Sequence, residues 1–138
     1  MNSSSARVNT LPVGLFGVFK MIALVCGPNA AASSYAAKRE RLLKILTSAG
    51  FTVFKPRGAY YIMTDISRFA DPDPVRFQAD TKDVRFAKFL VETIGVAVVP
   101  GSSFYNNAHD GASQVRFTFC KKEETLAAAE QRLAKLRP

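Results

Sequence analysis

The sequence has few of the residues that build metal centres and histidine-dependent active sites. It contains one histidine, His109, and two cysteines, Cys26 and Cys120, without the paired spacing of a zinc site or a C-x-x-C motif. His109 lies in a polar stretch and is expected to be solvated rather than to act as a base. Both cysteines are expected to be reduced thiols, which favours a cytoplasmic location. We therefore expect neither a metal site nor a catalytic group built on histidine.

Acidic residues are also scarce, since 11 Asp and Glu face 19 Lys and Arg for a net charge of +8. A basic surface attracts polyanions, but the sequence lacks the signatures of the common nucleic-acid-binding folds. We interpret the charge as a solvated face or a surface toward a missing partner, and we expect no nucleic-acid partner. The densest positive charge lies at Lys38, Arg39, Arg41, Lys44, Lys55 and Arg57.

The chain has no long uninterrupted apolar run. Residues 11–26 are apolar but contain Lys20, and they are too short for a membrane span, which needs about 20 apolar residues. With Arg7 before it and small residues after it, this run superficially matches a secretory signal. A truncated or wrongly started reading frame, or a segment that packs on another chain, is the favoured interpretation. Residues 1–33 are therefore predicted to be an atypical segment, disordered or packed on a partner, and no membrane partner is expected.

The remaining sequence is sufficient for one folded domain. The chain has 138 residues, of which 48% are hydrophobic and 11 are Phe, and this composition can fill a single core. No internal repeat or second domain boundary is visible. The domain is predicted to span residues 34–138.

The pattern of apolar residues, caps and turns predicts seven elements in this domain. Ser33 or Ser34 and Asp80 or Thr81 are predicted helix caps, and long loops are predicted at 67–80 and 102–113. The predicted elements are helices over 34–49, 82–94 and 123–137, and strands over 51–54, 59–66, 96–99 and 115–119. This order predicts an α+β fold, with a small antiparallel or mixed sheet of three to four strands and helices packed on one face.

The last predicted strand contains one arginine among apolar and aromatic residues. Alternation places Val115, Phe117 and Phe119 on one face and Arg116 with Thr118 on the other. If the apolar face meets the helices, Arg116 points to the open side. A guanidinium there could clamp a carboxylate through two hydrogen bonds, but composition alone favours an exposed strand arginine without a partner.

Five motifs in order decide between these alternatives. They are Pro56-x-Gly58-Ala59-Tyr60-Tyr61, Phe86-Ala87, the run from Gly95 to Tyr105, the run from Val115 to Cys120, and Glu123-Glu-Thr-Leu126. Over residues 35–137 their order and spacing resemble the C-terminal small domain of class I/II aminotransferases, which are fold-type I pyridoxal-phosphate enzymes. The resemblance implies that Arg116 holds the α-carboxylate of an amino-acid or keto-acid substrate. It places the loop from Pro100 to Tyr105 near the mouth of the active site.

The same resemblance implies what the chain does not contain. In that family, pyridoxal phosphate is bound by a Schiff-base lysine and other groups of a larger domain that would precede residue 35, and Lys20 lacks the sequence setting of that lysine. The chain alone is therefore expected to have no catalytic or cofactor-binding residues, and neither to bind pyridoxal phosphate tightly nor to transaminate. Its expected partners are a weakly bound amino-acid or keto-acid carboxylate, and either a large-domain chain or further copies of itself.

A second hypothesis remains open beside the truncated aminotransferase. The chain could be a non-catalytic interaction or regulatory module whose apolar faces dock on a partner chain. Nucleic-acid binding through the positive charge is a third and weaker alternative.

Overall fold

The computed structural model of the chain describes residues 32–136. Predictions for residues 1–31, including those for Cys26 and Lys20, lie outside the described residues. The described elements are the helices α1 (Ala32–Ser48), α2 (Lys82–Phe89) and α3 (Glu123–Leu133), and the strands β1 (Thr52–Phe54), β2 (Tyr61–Asp65), β3 (Val99–Pro100) and β4 (Gln114–Thr118). The four strands form one antiparallel sheet in the order β1-β2-β4-β3. The predicted α+β fold class is confirmed.

The core lies between one face of the sheet and the helices. Along β2 and β4 alternate side chains are buried, among them Ile62, Val115 and Phe117. They join one cluster with apolar side chains from all three helices. Four phenylalanines with ring centroids 4.7 to 6.2 Å apart occupy part of this cluster, namely Phe51, Phe69, Phe86 and Phe117. Full burial of such a side chain stabilises the fold by roughly 1.5–3 kcal/mol, so this face of the sheet is fixed toward the helices.

The helix ends were predicted only in part. Gly50 and Gly95 follow helical segments in the left-handed conformation, with φ of 93° and 80°, as their predicted role as helix stops requires. The predicted cap of α1 is wrong, because Ser33 and Ser34 lie within the helix. Thr81 occupies the N-cap position of α2, as predicted, but its side chain makes no capping hydrogen bond. A helix can begin without a side-chain cap where tertiary packing stabilises it.

The segment after α2 differs from the predicted helix and strand. The helix changes at Leu90 to a π-helical turn, Leu90–Ile94, and the backbone N–H groups of both Gly95 and Val96 donate to the Leu90 carbonyl. The second of these bonds occupies the Val96 N–H. The predicted strand over 96–99 therefore cannot pair along its whole length. Only Val99 and Pro100 pair with β4.

The long loops contain more structure than predicted. The loop over 67–80 buries Phe69 and Phe77, and the loop over 102–113 includes two 3-10 turns, Gly101–Phe104 and Ala108–Gly111.

No helix within residues 32–136 is both long and apolar enough to cross a bilayer.

Candidate carboxylate-binding site

Arg116 lies on the face of the sheet opposite the core. Its neighbours Val115 and Phe117 are buried, and Arg116 itself is half-buried, as the alternation predicted. Antiparallel pairing places Met63 of β2 and Val99 of β3 directly opposite it. Arg116 therefore lies in the middle of the sheet, held by strands on both sides, and its side chain extends from a rigid element.

Two aromatic rings hold the guanidinium of Arg116. Its Cζ atom lies over the ring of Tyr61, 5.0 Å from the centroid, and over the ring of Phe104, 4.7 Å from the centroid. Tyr61 lies two residues from Met63 on β2, and Phe104 belongs to the 3-10 turn after β3. Each cation–π contact at such a site contributes roughly 0.5–1 kcal/mol, and together they restrict where the guanidinium can lie.

The hydrogen-bonding groups of this guanidinium are not used within the described chain. No carboxylate or carbonyl of residues 32–136 accepts a hydrogen bond from it, and its recorded side-chain contacts are the two rings. Two arginines elsewhere in the described residues use their guanidinium groups in ion pairs, since Arg41 reaches Glu123 at 2.6 Å and Arg85 reaches Asp71 at 2.6 Å. A guanidinium has five N–H donors in a planar fork, so Arg116 presents a cation able to bind an external anion.

The guanidinium opens on a shallow pocket of about 330 Å³. Its lining residues are Tyr61, Met63, Phe104, Tyr105 and Arg116. The Tyr105 hydroxyl donates to Oε1 of Gln114 at 3.1 Å, which keeps that side chain at the edge of the pocket. The pocket therefore combines one positive charge with aromatic and apolar walls, and suits a carboxylate attached to a carbon skeleton.

The backbone at the base of the loop is closely packed. A Cβ at Gly101 would lie 2.5 Å from the Gly111 carbonyl oxygen, and a Cβ at Gly111 would lie 2.4 Å from the Gly101 carbonyl carbon. Only glycine at both positions allows the two 3-10 turns to meet in this way. This contact fixes the start of the turn that carries Phe104.

Phe104 and Tyr105, at the end of the loop singled out from the sequence, line the pocket, but the other polar and basic candidates do not. The serines that open the predicted loop are not among its lining residues, and Ser103 and His109 are exposed. The basic residues near α1 are partly neutralised, since Lys55 and Arg39 both pair with Glu40 and Arg41 pairs with Glu123. The hydrogen bond from Lys55 lowers the pKa of the Glu40 carboxyl.

Alternation in the sequence predicted the face of the sheet on which Arg116 lies, but it did not predict Tyr61, Met63 and Phe104 as neighbours of that residue. Alternation alone places Tyr61 and Met63 on one face of β2, but no short turn sets the register between β2 and β4, because residues 66–113 separate the two strands. Phe104 lies in a turn without periodicity. Within residues 32–136, no group of three or more His, Cys, Asp or Glu side chains could hold a metal ion.

Comparison with known proteins supports the resemblance to class I/II aminotransferases. A family model described as aminotransferase class I and II matches residues 29–133. The chain is 34% identical over 99 residues to kynurenine–oxoglutarate transaminase 1 of Mus musculus, covering 69% of this chain and 23% of that protein. It is 38% identical over 112 residues to the probable N-succinyldiaminopimelate aminotransferase of Mycobacterium tuberculosis, covering 75% and 26%.

Solved structures of aminotransferases also match the chain. YbdL from Escherichia coli, identified as having a methionine aminotransferase function, matches with a TM-score of 0.62 at 31% identity, covering 75% of this chain and 25% of that one. The N-succinyldiaminopimelate aminotransferase of Mycobacterium tuberculosis matches with a TM-score of 0.58 at 36% identity, covering 74% and 24%. The chain thus spans about a quarter of the length of the relatives it matches. Because the family model covers most of its residues, the chain belongs to the aminotransferase class I and II family.

Proposed function

We propose that residues 34–138 form the C-terminal small domain of an aminotransferase, in which Arg116 holds the α-carboxylate of an amino acid or keto acid. The observation that carries this proposal is the guanidinium of Arg116, which faces an open pocket without a hydrogen-bond acceptor from residues 32–136. A half-buried guanidinium that opens on a pocket has its N–H donors free for a ligand that enters the pocket. A carboxylate satisfies two of its donors at once.

The geometry suits orientation of a substrate as well as binding. A bidentate contact fixes the plane of the carboxylate, and the rings of Tyr61 and Phe104 fix the plane of the guanidinium. Fixing both planes restricts the direction in which the Cα substituents point. Such orientation can contribute several kcal/mol to the catalysed step of a complete enzyme.

Pyridoxal phosphate is the cofactor implied for the parent enzymes of this family. The residues that line the pocket do not fit this group, since they include no lysine for a Schiff base and no carboxylate for the pyridine nitrogen. We therefore assign no step of the reaction to this chain beyond holding the carboxylate. A polypeptide of these 138 residues is proposed neither to bind the cofactor tightly nor to transaminate, and its location is proposed to be cytoplasmic.

The carboxylate site is tested with 3-phenylpropionate, which combines a carboxylate with an aromatic group suited to the pocket walls. We expect binding to the full chain with a Kd on the order of millimolar, and loss of binding in Arg116→Leu. Arg57→Leu is the matched control, because Arg57 is exposed and makes no ion pair within residues 32–136. The alcohol 3-phenyl-1-propanol controls for the carboxylate. Equal binding by Arg116→Leu in titration calorimetry would refute the assignment.

The cofactor proposal has its own test. The full chain is mixed with pyridoxal phosphate and passed through gel filtration, and we expect no cofactor absorbance with the protein peak. An absorbance band that stays with the protein, and disappears in Lys20→Ala, would show that the chain holds a Schiff-base lysine after all.

A second candidate function is a non-catalytic module that docks on a partner chain. It is favoured by large apolar side chains that are exposed beside the same pocket, with Tyr60 at 58%, Phe104 at 48% and Tyr105 at 43%. The two functions share one surface, and they differ in whether Arg116 or the aromatic side chains dominate the binding.

A further inference from the structure

Asp83 is a buried carboxylate with an incomplete set of hydrogen bonds. Its side chain is 0% exposed, and its Oδ2 atom accepts the backbone N–H of Ser102 at 2.7 Å. Its Oδ1 atom is buried without a hydrogen-bond partner among the described residues. Burying a carboxylate oxygen in this way is costly, so the one bond that Asp83 makes must serve the structure or the site.

The position of Asp83 explains how the carboxylate is tolerated. It lies in the first turn of α2, where the helix dipole favours a negative charge. Asp83 takes part in none of the ion pairs formed within residues 32–136. Its specific contact is therefore the bond to Ser102, which links α2 to the loop after β3.

That loop carries part of the carboxylate site. Ser102 belongs to the 3-10 turn Gly101–Phe104, two residues before the ring that lies over the guanidinium of Arg116. The bond that closes the turn, from the Tyr105 N–H to the Ser102 carbonyl, is 3.4 Å long and therefore weak. The close contact of Gly101 with Gly111 fixes one end of the turn, and Asp83 holds the next residue.

From these contacts we infer that Asp83 is a positioning residue for the carboxylate site. Its Oδ2 atom holds the Gly101–Phe104 turn against α2, and this keeps the Phe104 ring over the guanidinium of Arg116. The inference rests on the proposed function of Arg116 as the carboxylate ligand. Asp83 itself does not line the pocket and acts only through Phe104.

The test is a double-mutant cycle in the full chain, with variants Asp83→Ala, Phe104→Ala and both together. Affinity for 3-phenylpropionate is measured by calorimetry, and the Arg116 Nε–H resonance is followed by NMR because ring currents shift it. Asp83→Ala removes the hydrogen bond that holds the turn. It should weaken 3-phenylpropionate binding about two- to fivefold, the range of one exposed cation–π contact, and should move the Arg116 resonance. Asp83→Ala should add no further loss to Phe104→Ala. Asp83→Asn keeps an oxygen for the Ser102 N–H and should leave both readouts near those of the unmodified chain.

Several outcomes would overturn the inference. One is a folded Asp83→Ala variant with unchanged affinity and an unchanged Arg116 resonance. Another is a double variant whose fold-loss of affinity equals the product of the two single losses, because Asp83 and Phe104 would then act independently. If Asp83→Ala does not fold, amide exchange in the unmodified chain decides: slow exchange at Ser102 supports the anchor, and exchange as fast as at exposed Ser103 contradicts it.

The proposed function and this inference can fail separately. If Arg116→Leu binds 3-phenylpropionate as well as the unmodified chain does, the carboxylate assignment is lost. The response of the Arg116 resonance to Asp83→Ala still shows whether Asp83 positions Phe104.

Discussion

At the residue scale, Arg116 is distinguished by the chemistry of its surroundings. It contacts two aromatic rings and opens on a pocket, whereas Arg41 and Arg85 use their guanidinium groups in ion pairs. An aromatic ring holds a cation without using its N–H donors, because the attraction is to the ring face. Arg116 can therefore be held in place and still bind a carboxylate with its full fork.

This chemistry predicts that lysine cannot replace Arg116. Arg116→Lys keeps the charge but loses the planar fork and its two parallel hydrogen bonds. One charge-assisted hydrogen bond contributes roughly 1.5–3 kcal/mol, so affinity for 3-phenylpropionate should fall about tenfold or more in calorimetry. Arg57→Lys serves as the matched control. An affinity within about twofold of the original would mean that Arg116 acts only as a point charge.

The sequence was sufficient to select Arg116 but not its partners. Alternation along β4 fixes the side of the sheet, because residues two apart share a face. Tyr61 comes beside Arg116 only through the register of β2 with β4. Phe104 reaches it because Gly101, Gly111 and Asp83 hold a turn that has no periodic pattern. These contacts depend on tertiary structure, and local sequence carries little signal for them.

At the element scale, the loop over 67–80 is tied to α2 by basic side chains of that helix. Arg85 pairs with Asp71 and donates to the Ala79 carbonyl, while Lys82 and Lys88 donate to loop carbonyls. The loop's prolines and polar residues predicted an exposed segment. Instead, the basic side chains of α2 donate hydrogen bonds to carbonyl groups of the loop and hold the loop against the domain.

This arrangement predicts a pH dependence. The hydrogen bond from Arg85 lowers the pKa of Asp71 below its usual value, so the folded state favours the ionised carboxylate. The stabilisation is present above the ordinary Asp pKa of about 3.9, and it is lost as pH falls through the lower pKa of the folded state. Because the Asp71 side chain is 47% exposed, screening limits the effect to about 0.5–1 kcal/mol.

Urea unfolding of Asp71→Asn across pH 2.5 to 6 (approximate limits chosen around that usual pKa) measures this effect. The variant should be less stable than the unmodified chain at the upper end, and the difference should shrink toward the acid end. Glu92→Gln is the control, because Glu92 is exposed and forms no ion pair within residues 32–136. A difference that stays constant with pH would exclude the Asp71 ion pair as its source.

The turn after α2 gives a second prediction at this scale. Gly95 has φ of 80°, and a Cβ there would lie 3.2 Å from the Arg132 guanidinium. Gly95→Ala should therefore lower the free energy of unfolding by about 1–2 kcal/mol, the cost of a left-handed L-residue. Gly58→Ala is the matched control, since a Cβ at Gly58 meets nothing within 4 Å and its φ lies outside the left-handed range. Equal effects of the two substitutions on urea unfolding would contradict this account of the Gly95 turn.

At the scale of the whole molecule, the sheet separates two surfaces of different character. The face toward the helices is filled by the core, and the opposite face carries Arg116 and its pocket. The aromatic rim consists of Tyr61, Phe104 and Tyr105 of the pocket lining, and of exposed Tyr60, whose ring centroid lies 5.5 Å from that of Tyr61 at the end of β2. The predicted layer order followed from the apolar periodicity of long elements, which constrains packing strongly. The π-helical turn departed from prediction because local hydrogen bonds from Gly95 and Val96 converge on the Leu90 carbonyl. The β3 strand is short because only Val99 and Pro100 pair with β4.

The aromatic rim predicts self-association of the isolated chain. Exposed aromatic groups clustered around one pocket favour burial against another surface, while the net charge of +8 opposes close approach of two copies. Raising the salt concentration screens that repulsion and leaves the apolar contribution in place. We therefore expect size-exclusion chromatography with light scattering to show a larger molar mass as salt and protein concentration increase.

Substitutions in the aromatic rim locate the contact. Tyr60→Glu and Tyr105→Glu should each shift the chain toward monomer, because a carboxylate at an apolar contact must lose its hydration. Val75→Glu, at the most exposed large apolar residue of residues 32–136, should not, because Val75 lies outside the aromatic rim. A response to Val75→Glu alone would place the contact on the 67–80 loop. A monomer at every salt concentration would remove the support for docking through the rim, and would leave carboxylate binding at Arg116 as the one function proposed for this face.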